Sequence, residues 1–477
     1  MRLLNVHNLR IESRDPSAQI YAILSHTWGD EEVTFQEFQD AGKHSKKGYK
    51  KILDCCSQAR EDGIDWVWVD TCCIDKTSSA ELSEAINSMY AWYQGSAVCY
   101  VFLEEVPPLA PHFPEAEFRK ARWFTRGWCL QELIAPVKVD FFAKDWTDIG
   151  TRWSLEETIT EVTGIPGTAF DEGVSLRRFS IAQKMSWASQ RKTSRKEDEA
   201  YCLLGIFNIN MPLIYGEGVN AFRRLLSEIL KKHEDYSFLL WTTAAAYLHD
   251  SFPPVALKPE FFQRHGLSTW NGETCAYQEI KFARGLPDLA SRNPPQLTSR
   301  GLQVEMLVHP NPDAFLKDDD GEPVLDDTML LVFTEFMYRD KLVCIALDKD
   351  GWGGRHSPMF WRSFSNQVFL VEAEPMGEPY ELRKLYLAAH HIYEWSEVEP
   401  LRKPPGLRLH LSSKCGSATI NFMRSIPQIQ FSIPGQPPTY NPPPWSRLEC
   451  LMPDFPDSGW DNLLLQFKLS YLIKSVI

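Results

Sequence analysis

Tyr21-Ala22-Ile23-Leu24-Ser25, running into His26-Thr27-Trp28-Gly29-Asp30, reads as a short buried strand that ends in a polar turn. A continuous apolar run of this length, bounded by turn residues, suits a strand covered on both faces. Working outward, Tyr49, Ile52, Leu53, Cys56 and Ala59 recur at three- and four-residue spacing, which predicts a helix stopped by Gly63. Trp66-Val67-Trp68-Val69 reads as a second strand, closed by Asp70. Ser78-x-x-Glu81 predicts a capping box at the start of a helix with Leu82, Ala85, Ile86, Met89 and Tyr93 as its apolar stripe. Ala97 to Leu103 and Val139 to Phe142 give a third and a fourth strand, with a helix carrying Trp128, Cys129, Glu132 and Leu133 between them. Strand–helix alternation with continuous apolar strands implies a doubly wound parallel sheet over residues 1–150.

The remainder changes character twice. Residues 151–240 read as a helical extension: Glu197 to Gly205 suggests one helix, and Ala221, Phe222, Leu225, Leu226, Ile229 and Leu230 another, after a loop with Gly216 and Gly218. Residues 241–477 read as a β-rich domain with no assigned role, from short alternating runs such as Leu302–Val308, Met329–Phe333, Leu342–Leu347, Val368–Val371 and Leu463–Tyr471. Pro434 to Pro444 is at most a local Pro-rich loop.

Composition narrows the class. The 477 residues are 44% apolar and 24% charged, as in ordinary globular protein, which excludes a disordered, collagen-like or disulfide-scaffold chain. The 50 basic against 63 acidic residues leave a net charge of −13, so no overall basic field favours nucleic acid. No apolar run reaches the roughly 18 residues of a transmembrane segment, and the start MRLLNVHNLRIESRD lacks a signal h-region. Eleven cysteines without a C-x-x-C spacing speak against zinc and redox motifs and suit a reducing compartment, so the cytoplasm is the expected location.

In an open parallel sheet, ligands bind at the carboxyl ends of the strands, near the point where strand order reverses. Ser25, His26, Trp28 and Asp30 follow the first strand, Asp70 to Asp75 the second, and Glu104 and Glu105 the third. Helical spacing would put Trp128 and Glu132 on one face, and Arg122 and Arg126 likewise. An aromatic plane, a carboxylate and guanidinium groups together suit a nucleotide through stacking, ribose hydrogen bonds and phosphate pairing. The competing reading is a core tryptophan with a structural ion pair between Glu132 and Arg122 or Arg126.

Three stretches, YAILSHTWGDEEVTF, WVWVDTCCIDKTSSAELSEAINSMYAWY and FRKARWFTRGWCLQELIAP, together resemble the HET (heterokaryon incompatibility) domain of filamentous fungi. MSWASQRKTSRKEDEAYCLLGIFNINMPLIYGEG resembles the extension that often follows it, so the likeness covers about half the chain. The resemblance implies an effector of programmed cell death on fusion of unlike cells, with a TIR-like (flavodoxin-like) fold. Many TIR domains cleave the nicotinamide–ribose bond of NAD through a Glu in a W-C-x-x-E-L context, matched here by Trp128-Cys129-Leu130-Gln131-Glu132-Leu133. It therefore implies Glu132 as the catalytic carboxylate, with Ser25, His26, Trp28, Asp70, Arg126 and Trp128 as substrate contacts. NAD would be a substrate, and neither cofactor nor metal is required. Self-association and an incompatibility partner protein are the implied partners. The alternative is a non-enzymatic module that signals by assembly.

Other groups read differently. His26 beside Asp30 and Asp70 suits a base, a metal ligand or a hydrogen-bonded structural group. Cys72-Cys73 suits packing behind a strand, Asp70 and Asp75 suit turn capping, and Lys43, Lys46, Lys47, Lys50 and Lys51 form a solvated face. Arg191 to Lys196 is followed by Glu197-Asp198-Glu199, and local charge pairing is the expected outcome.

Overall fold

A computed structural model of the chain describes residues 1–242 apart from 41–44 and 109–112. Beyond these it describes 255–256, 258–263, 293–298 and the strands between 267 and 430 given below. The first sheet has seven strands: β1 (Arg2–Asn5), β2 (Ile11–Ser13), β3 (Ala22–His26), β4 (Trp66–Trp68), β5 (Val98–Phe102), β6 (Val139–Phe142) and β7 (Asp148–Thr151). Their spatial order is β2-β1-β4-β3-β5-β6-β7. The pairs β4–β3, β3–β5 and β5–β6 are parallel and the outer three antiparallel.

The four strands expected from the sequence are thus the parallel centre, lying 2-1-3-4 in order of appearance. The three flanking strands were not expected. Every residue of β3 and β5 is buried, as continuous apolar strands require of a sheet covered on both sides. Strand order reverses between β3 and β5, so the crevice at their carboxyl ends, where Ser25-His26 register with Val101-Phe102, is the place for a ligand.

Helices α1 (Phe35–Phe38), α2 (Lys47–Glu61), α3 (Asp70–Cys73), α4 (Ser79–Gln94), α5 (Glu115–Arg119), α6 (Cys129–Ile134) and α7 (Glu156–Thr163) join or follow these strands. Gly63, at φ +74°, takes the left-handed turn that ends α2 at little steric cost. The capping box expected at α4 is half formed. Ser78 accepts from the Glu81 amide at 3.4 Å, but the Glu81 carboxylate turns away to the Asp75 amide (2.9 Å) and to Arg2 of β1. A guanidinium offers a carboxylate a stronger bond than the cap amide does, which explains the departure.

The far end of α6 is held by Arg152, a residue only 3% exposed. Its guanidinium donates to the carbonyls of Leu133 (2.7 Å), Pro136 (2.9 Å), Val137 (2.9 Å) and Phe170 (3.3 Å). Burial without a facing carboxylate draws its pKa down to about 10, so it remains a cation at neutral pH. Arg152→Met strands four carbonyls and is expected to lower unfolding stability by about 3 kcal/mol, read from urea titration.

The extension comprises α8 (Ile181–Ala188), α9 (Asp198–Tyr201) and α10 (Asn220–Lys232). The helix expected over 197–205 is a single turn, followed by further turns up to Asn208, whose φ is +54°. The amphipathic helix is as expected, burying Ala221, Phe222, Leu225, Leu226, Ile229 and Leu230. The extension docks on α4, where the Asn87 amide both donates to and accepts from Met211 backbone, at 3.3 and 3.2 Å.

By its internal contacts the chain divides into two compact units, residues 1–391 and 392–477. The first also holds an eight-stranded sheet of Gln278–Glu279, Gln296–Thr298, Gly301–His309, Thr328–Tyr338, Lys341–Lys349, Phe360–Arg362, Phe369–Glu372 and Glu381–Leu387. Its pairings are antiparallel except between Phe360–Arg362 and Glu381–Leu387. A hairpin of Leu267–Trp270 with Glu273–Ala276 accompanies it. The second unit contains an antiparallel meander, Leu409–Ser413, Gly416–Met423 and Ile426–Gln430. The expected strand Leu463–Tyr471 and the Pro434–Pro444 loop lie outside the described residues.

Candidate functional site

Glu132 lies on α6 with only 7% of its surface exposed. The Ser25 hydroxyl, at the end of β3, donates to its Oε2, and Ser25 itself is fully buried. Ser25 Oγ in turn accepts from the indole N–H of Trp123 at 2.7 Å. Burial pushes the Glu132 pKa up to about 7, with the Asp70 charge adding to it, against bonds from Ser25, Cys129 and Tyr93 that favour the anion. Glu132 has no ion pair among the described residues, so the structural pairing with Arg122 or Arg126 is not what buries it.

The loop after β3 is tied across the neighbouring strand ends. The Trp28 indole donates to Asp70 Oδ2 at 3.0 Å, and Lys76 sits 3.4 Å from the Trp28 ring centre and 3.5 Å from the same carboxylate. From the other side Arg122 donates to the Trp28 carbonyl at 3.1 Å and faces Glu105 at 3.4 Å. Trp28 is nonetheless 43% exposed. Ser25, Glu132, Trp28 and Asp70 therefore gather at one end of the sheet.

His26 is also buried there, but its neighbour is Glu32 rather than Asp30 or Asp70. Its Nε2 lies 3.6 Å from Glu32 Oε2, too long for a hydrogen bond, and neither atom has a hydrogen-bond partner among the described residues. The other Glu32 oxygen accepts from the Gly29 amide (2.9 Å) and Lys51 (2.6 Å). Burial opposes the Glu32 charge, but His26, Lys51 and the Gly29 amide outweigh it and hold the pKa down to about 2.

Two expected members stand elsewhere. Arg122 belongs to a 3-10 turn (Arg122–Thr125) and Arg126 to the extended residue after it, so the two never share a helix face. The Arg126 guanidinium has no hydrogen bond or ion pair among the described residues, while its carbonyl accepts from Arg191 of the extension at 3.0 Å. Trp128 is the N-terminal cap residue of α6, half-buried, and its indole bonds to Asp198 of α9. The extension is stitched to this segment through Lys192, whose amide donates to Thr125 O (2.7 Å) and whose carbonyl accepts from Gly127 N (2.9 Å). A side chain at Gly127 would meet Thr193 Cγ2 at 2.5 Å, so the close approach depends on glycine.

Local charge accounts for part of the basic run at 191–196: Arg195 favours the charged forms of Glu197 and Asp198, and Lys196 that of Glu199. Arg191 is spent on backbone carbonyls, Arg195 stacks over Tyr215 at 4.5 Å, and Glu197 caps the Gly216 and Gly218 amides at 2.8 and 3.0 Å. Lysines 46, 47, 50 and 51 each face a carboxylate; Lys47 and Lys50 are well exposed, as on a solvated face, Lys51 is nearly buried against Glu32, and Lys43 lies outside the described residues. Asp75 caps the Thr77 amide at 3.0 Å, as a turn residue would. Cys72 and Cys129 are buried thiols with pKa values pushed upward, Cys72 by its bond to Cys73 and by burial, Cys129 by burial, which makes both poor nucleophiles. Among the described residues no group of three or more His, Cys, Asp or Glu is gathered around a metal position, and no helix is long and apolar enough to cross a membrane. A cavity of about 430 Å³ opens between α5 and α7, but Arg119 on its wall is already paired with Glu115 (2.7 Å) and Glu161 (2.6 Å), and it shares no residue with the Glu132 cluster.

Residues 21–108 match the family model of the heterokaryon incompatibility protein (HET). The chain carries a HET domain. The matched segment runs from β3 past β5 and holds Ser25, His26, Trp28 and Asp70, whereas Arg126, Trp128 and Glu132 lie beyond it. Across 227 residues the HET-domain chain is 51% identical to the vegetative incompatibility protein HET-E-1 of Podospora anserina, covering 45% of this chain and 17% of that protein. The chain thus corresponds to a small part of that relative's length. No solved structure matches the chain.

Trp123 was missed by the sequence reading, which followed charge and spacing. A tryptophan two residues from the end of a 3-10 turn has no periodic signature, and only the fold brings its indole to Ser25.

Proposed function

We propose that this protein is an effector of vegetative incompatibility and programmed cell death whose HET domain, TIR-like in fold, cleaves the nicotinamide–ribose bond of NAD with Glu132 as the catalytic carboxyl. One observation carries the reading: a buried carboxyl with no ion pair within 4 Å among the described residues, bonded to Ser25, at the carboxyl end of the strand where sheet order reverses. The 2-1-3-4 order of the parallel strands supports the TIR-like, flavodoxin-like description.

The chemistry follows from charge. The nicotinamide ring of NAD is cationic, and as the C–N bond breaks its electron pair leaves with nicotinamide while positive charge passes to the ribose. A carboxyl that titrates near neutrality gives up its proton when such a cation approaches. The carboxylate then accepts from the ribose hydroxyls and faces the oxocarbenium-like transition state, an interaction strengthened by exclusion of water. Water bonds to the ribose carbon and releases a proton. Entry requires the Trp28 loop to leave Asp70 and Arg122. Self-association and a partner protein belong to the proposal, because an unrestrained NAD hydrolase would kill its own cell.

The test is NAD loss and nicotinamide release by the full chain at a concentration that favours assembly. Turnover that falls to the buffer blank in Glu132→Gln, at unchanged circular dichroism, is the expected result. Undiminished turnover in that variant removes Glu132 from the chemistry. The burial of Glu132 favours a second reading, a non-enzymatic module acting by assembly. Absent turnover, together with fungal cell death that survives Glu132→Gln, would select that reading.

A further inference from the structure

Ser25 has one proton to give and two lone pairs to offer. The indole of Trp123 is a donor only, so its 2.7 Å bond consumes a lone pair of the hydroxyl and leaves the hydroxyl proton for Glu132. Trp123 is fully buried and wedged edge-on against Phe124 (5.2 Å between ring centres) and Phe141 (5.7 Å), which fixes the direction of its N–H. The same 3-10 turn is pinned to the extension where Lys192 donates to Thr125. A continuous path thus leads from the extension through Lys192, the turn, Trp123 and Ser25 to the Glu132 carboxyl.

We propose that Trp123 is a positioning residue, which orients the Ser25 hydroxyl as a donor to Glu132 and thereby makes the state of that carboxyl depend on docking of the helical extension. The proposal rests on the hydrolase reading only where it predicts turnover. Other groups facing Glu132 are Tyr93 of α4, Cys99 of β5, Cys129 on its own helix, Asp70 of α3 and Arg191 of the extension. None of them can replace the indole, because none is bonded to Ser25 among the described residues.

Without the indole N–H the hydroxyl is free to turn, and a donor that favours the carboxylate is lost. The Glu132 pKa should then rise by on the order of one pH unit. The experiment follows the Glu132 carboxyl in the full chain by infrared difference spectroscopy against Glu132→Gln, with no substrate present. Trp123→Phe leaves a void, so a second variant carries benzothienylalanine at 123, which keeps the ring shape and lacks the N–H. Both are expected to show the upward shift, Ser25→Ala is expected to show it too, and Trp123→Phe added to Ser25→Ala is expected to add nothing further. Where turnover exists, its pH profile should move by the same amount with KM little changed.

An unshifted carboxyl in the benzothienylalanine protein, or full additivity with Ser25→Ala, overturns the positioning role whatever the turnover. A shifted carboxyl in a protein that does not consume NAD upholds the positioning role and counts against the hydrolase reading alone.

Discussion

Gly205→Ala is expected to cost at least about 3 kcal/mol of unfolding stability, at the upper end of core overpacking, and Gly205→Val to leave little folded protein. A Cβ built at Gly205 would lie 2.0 Å from Tyr90 Cβ, 2.4 Å from its Cγ and 2.7 Å from its Cδ2. Two Cβ atoms are fixed by their backbones, so no rotamer change relieves the first contact. The backbones themselves must part, and these belong to α4 and to the extension. On its other side α4 buries Ala85, Ile86, Met89 and Tyr93, so it cannot retreat without opening the core. The prediction has an internal control. Both Tyr90→Ala and Tyr90→Gly lose the ring, but Tyr90→Ala retains the Cβ. Gly205→Ala should therefore remain costly in the Tyr90→Ala background and cost much less in the Tyr90→Gly background, whose own helix-glycine penalty of roughly 1 kcal/mol cancels in the comparison. Urea midpoints of the native, single-variant and double-variant proteins test this, and rescue by Tyr90→Ala would show that the contact is softer than its geometry.

The reason the extension can be held so closely was only partly visible in the sequence. β3 and β5 were legible because they are wholly buried, and β4 and β6 because they are mostly so, which makes all four strongly apolar in sequence. β1 and β2 were not, since strands of four and three residues are too short to show a period. Gly205 gave no signal either, as its demand comes from a helix more than a hundred residues earlier in the chain. The site divides along the same line. Ser25, Asp70 and Glu132, marked in the sequence by strand ends and one short motif, are brought together by the fold. Arg122, Arg126 and Trp128 were placed by helical spacing on a stretch that is a 3-10 turn, an extended residue and a cap. Trp128 then went to Asp198 and Arg122 to the Trp28 loop, because each found a partner nearer than a substrate would be. Trp123 is the opposite case, a residue with no local mark that tertiary contact alone brings to the carboxyl.

Two carboxyls at this end of the sheet should pull stability in opposite directions with pH by similar amounts, and the effect that falls in the neutral range belongs to Glu132. Folding raises its pKa from 4.5 to about 7, so between those values the folded chain holds a proton that the unfolded chain has released. Stability from this group is whole below pH 4.5, falls as pH rises, and is spent above the folded pKa, a loss on the order of 3 kcal/mol. Glu32 runs the other way. Its folded pKa of about 2 lies below the ordinary 4.5, so its contribution is present above pH 4.5 and disappears as acid protonates it. Together they place the stability optimum contributed by this region near the shared ordinary value of 4.5. Urea titration of the full chain and of Glu132→Gln from pH 4 to pH 9 isolates the first effect, because the glutamine has no proton to lose. The stability of the native chain relative to the variant should decline across pH 5–8 and level off beyond. A constant difference would mean that Glu132 ionises freely in the folded state, which would deprive the NAD reading of its neutral-pH carboxyl. The expected decline has a functional consequence. At neutral pH the protein sits on the slope of this curve, where a cation brought to the strand ends gains most by drawing the proton off Glu132.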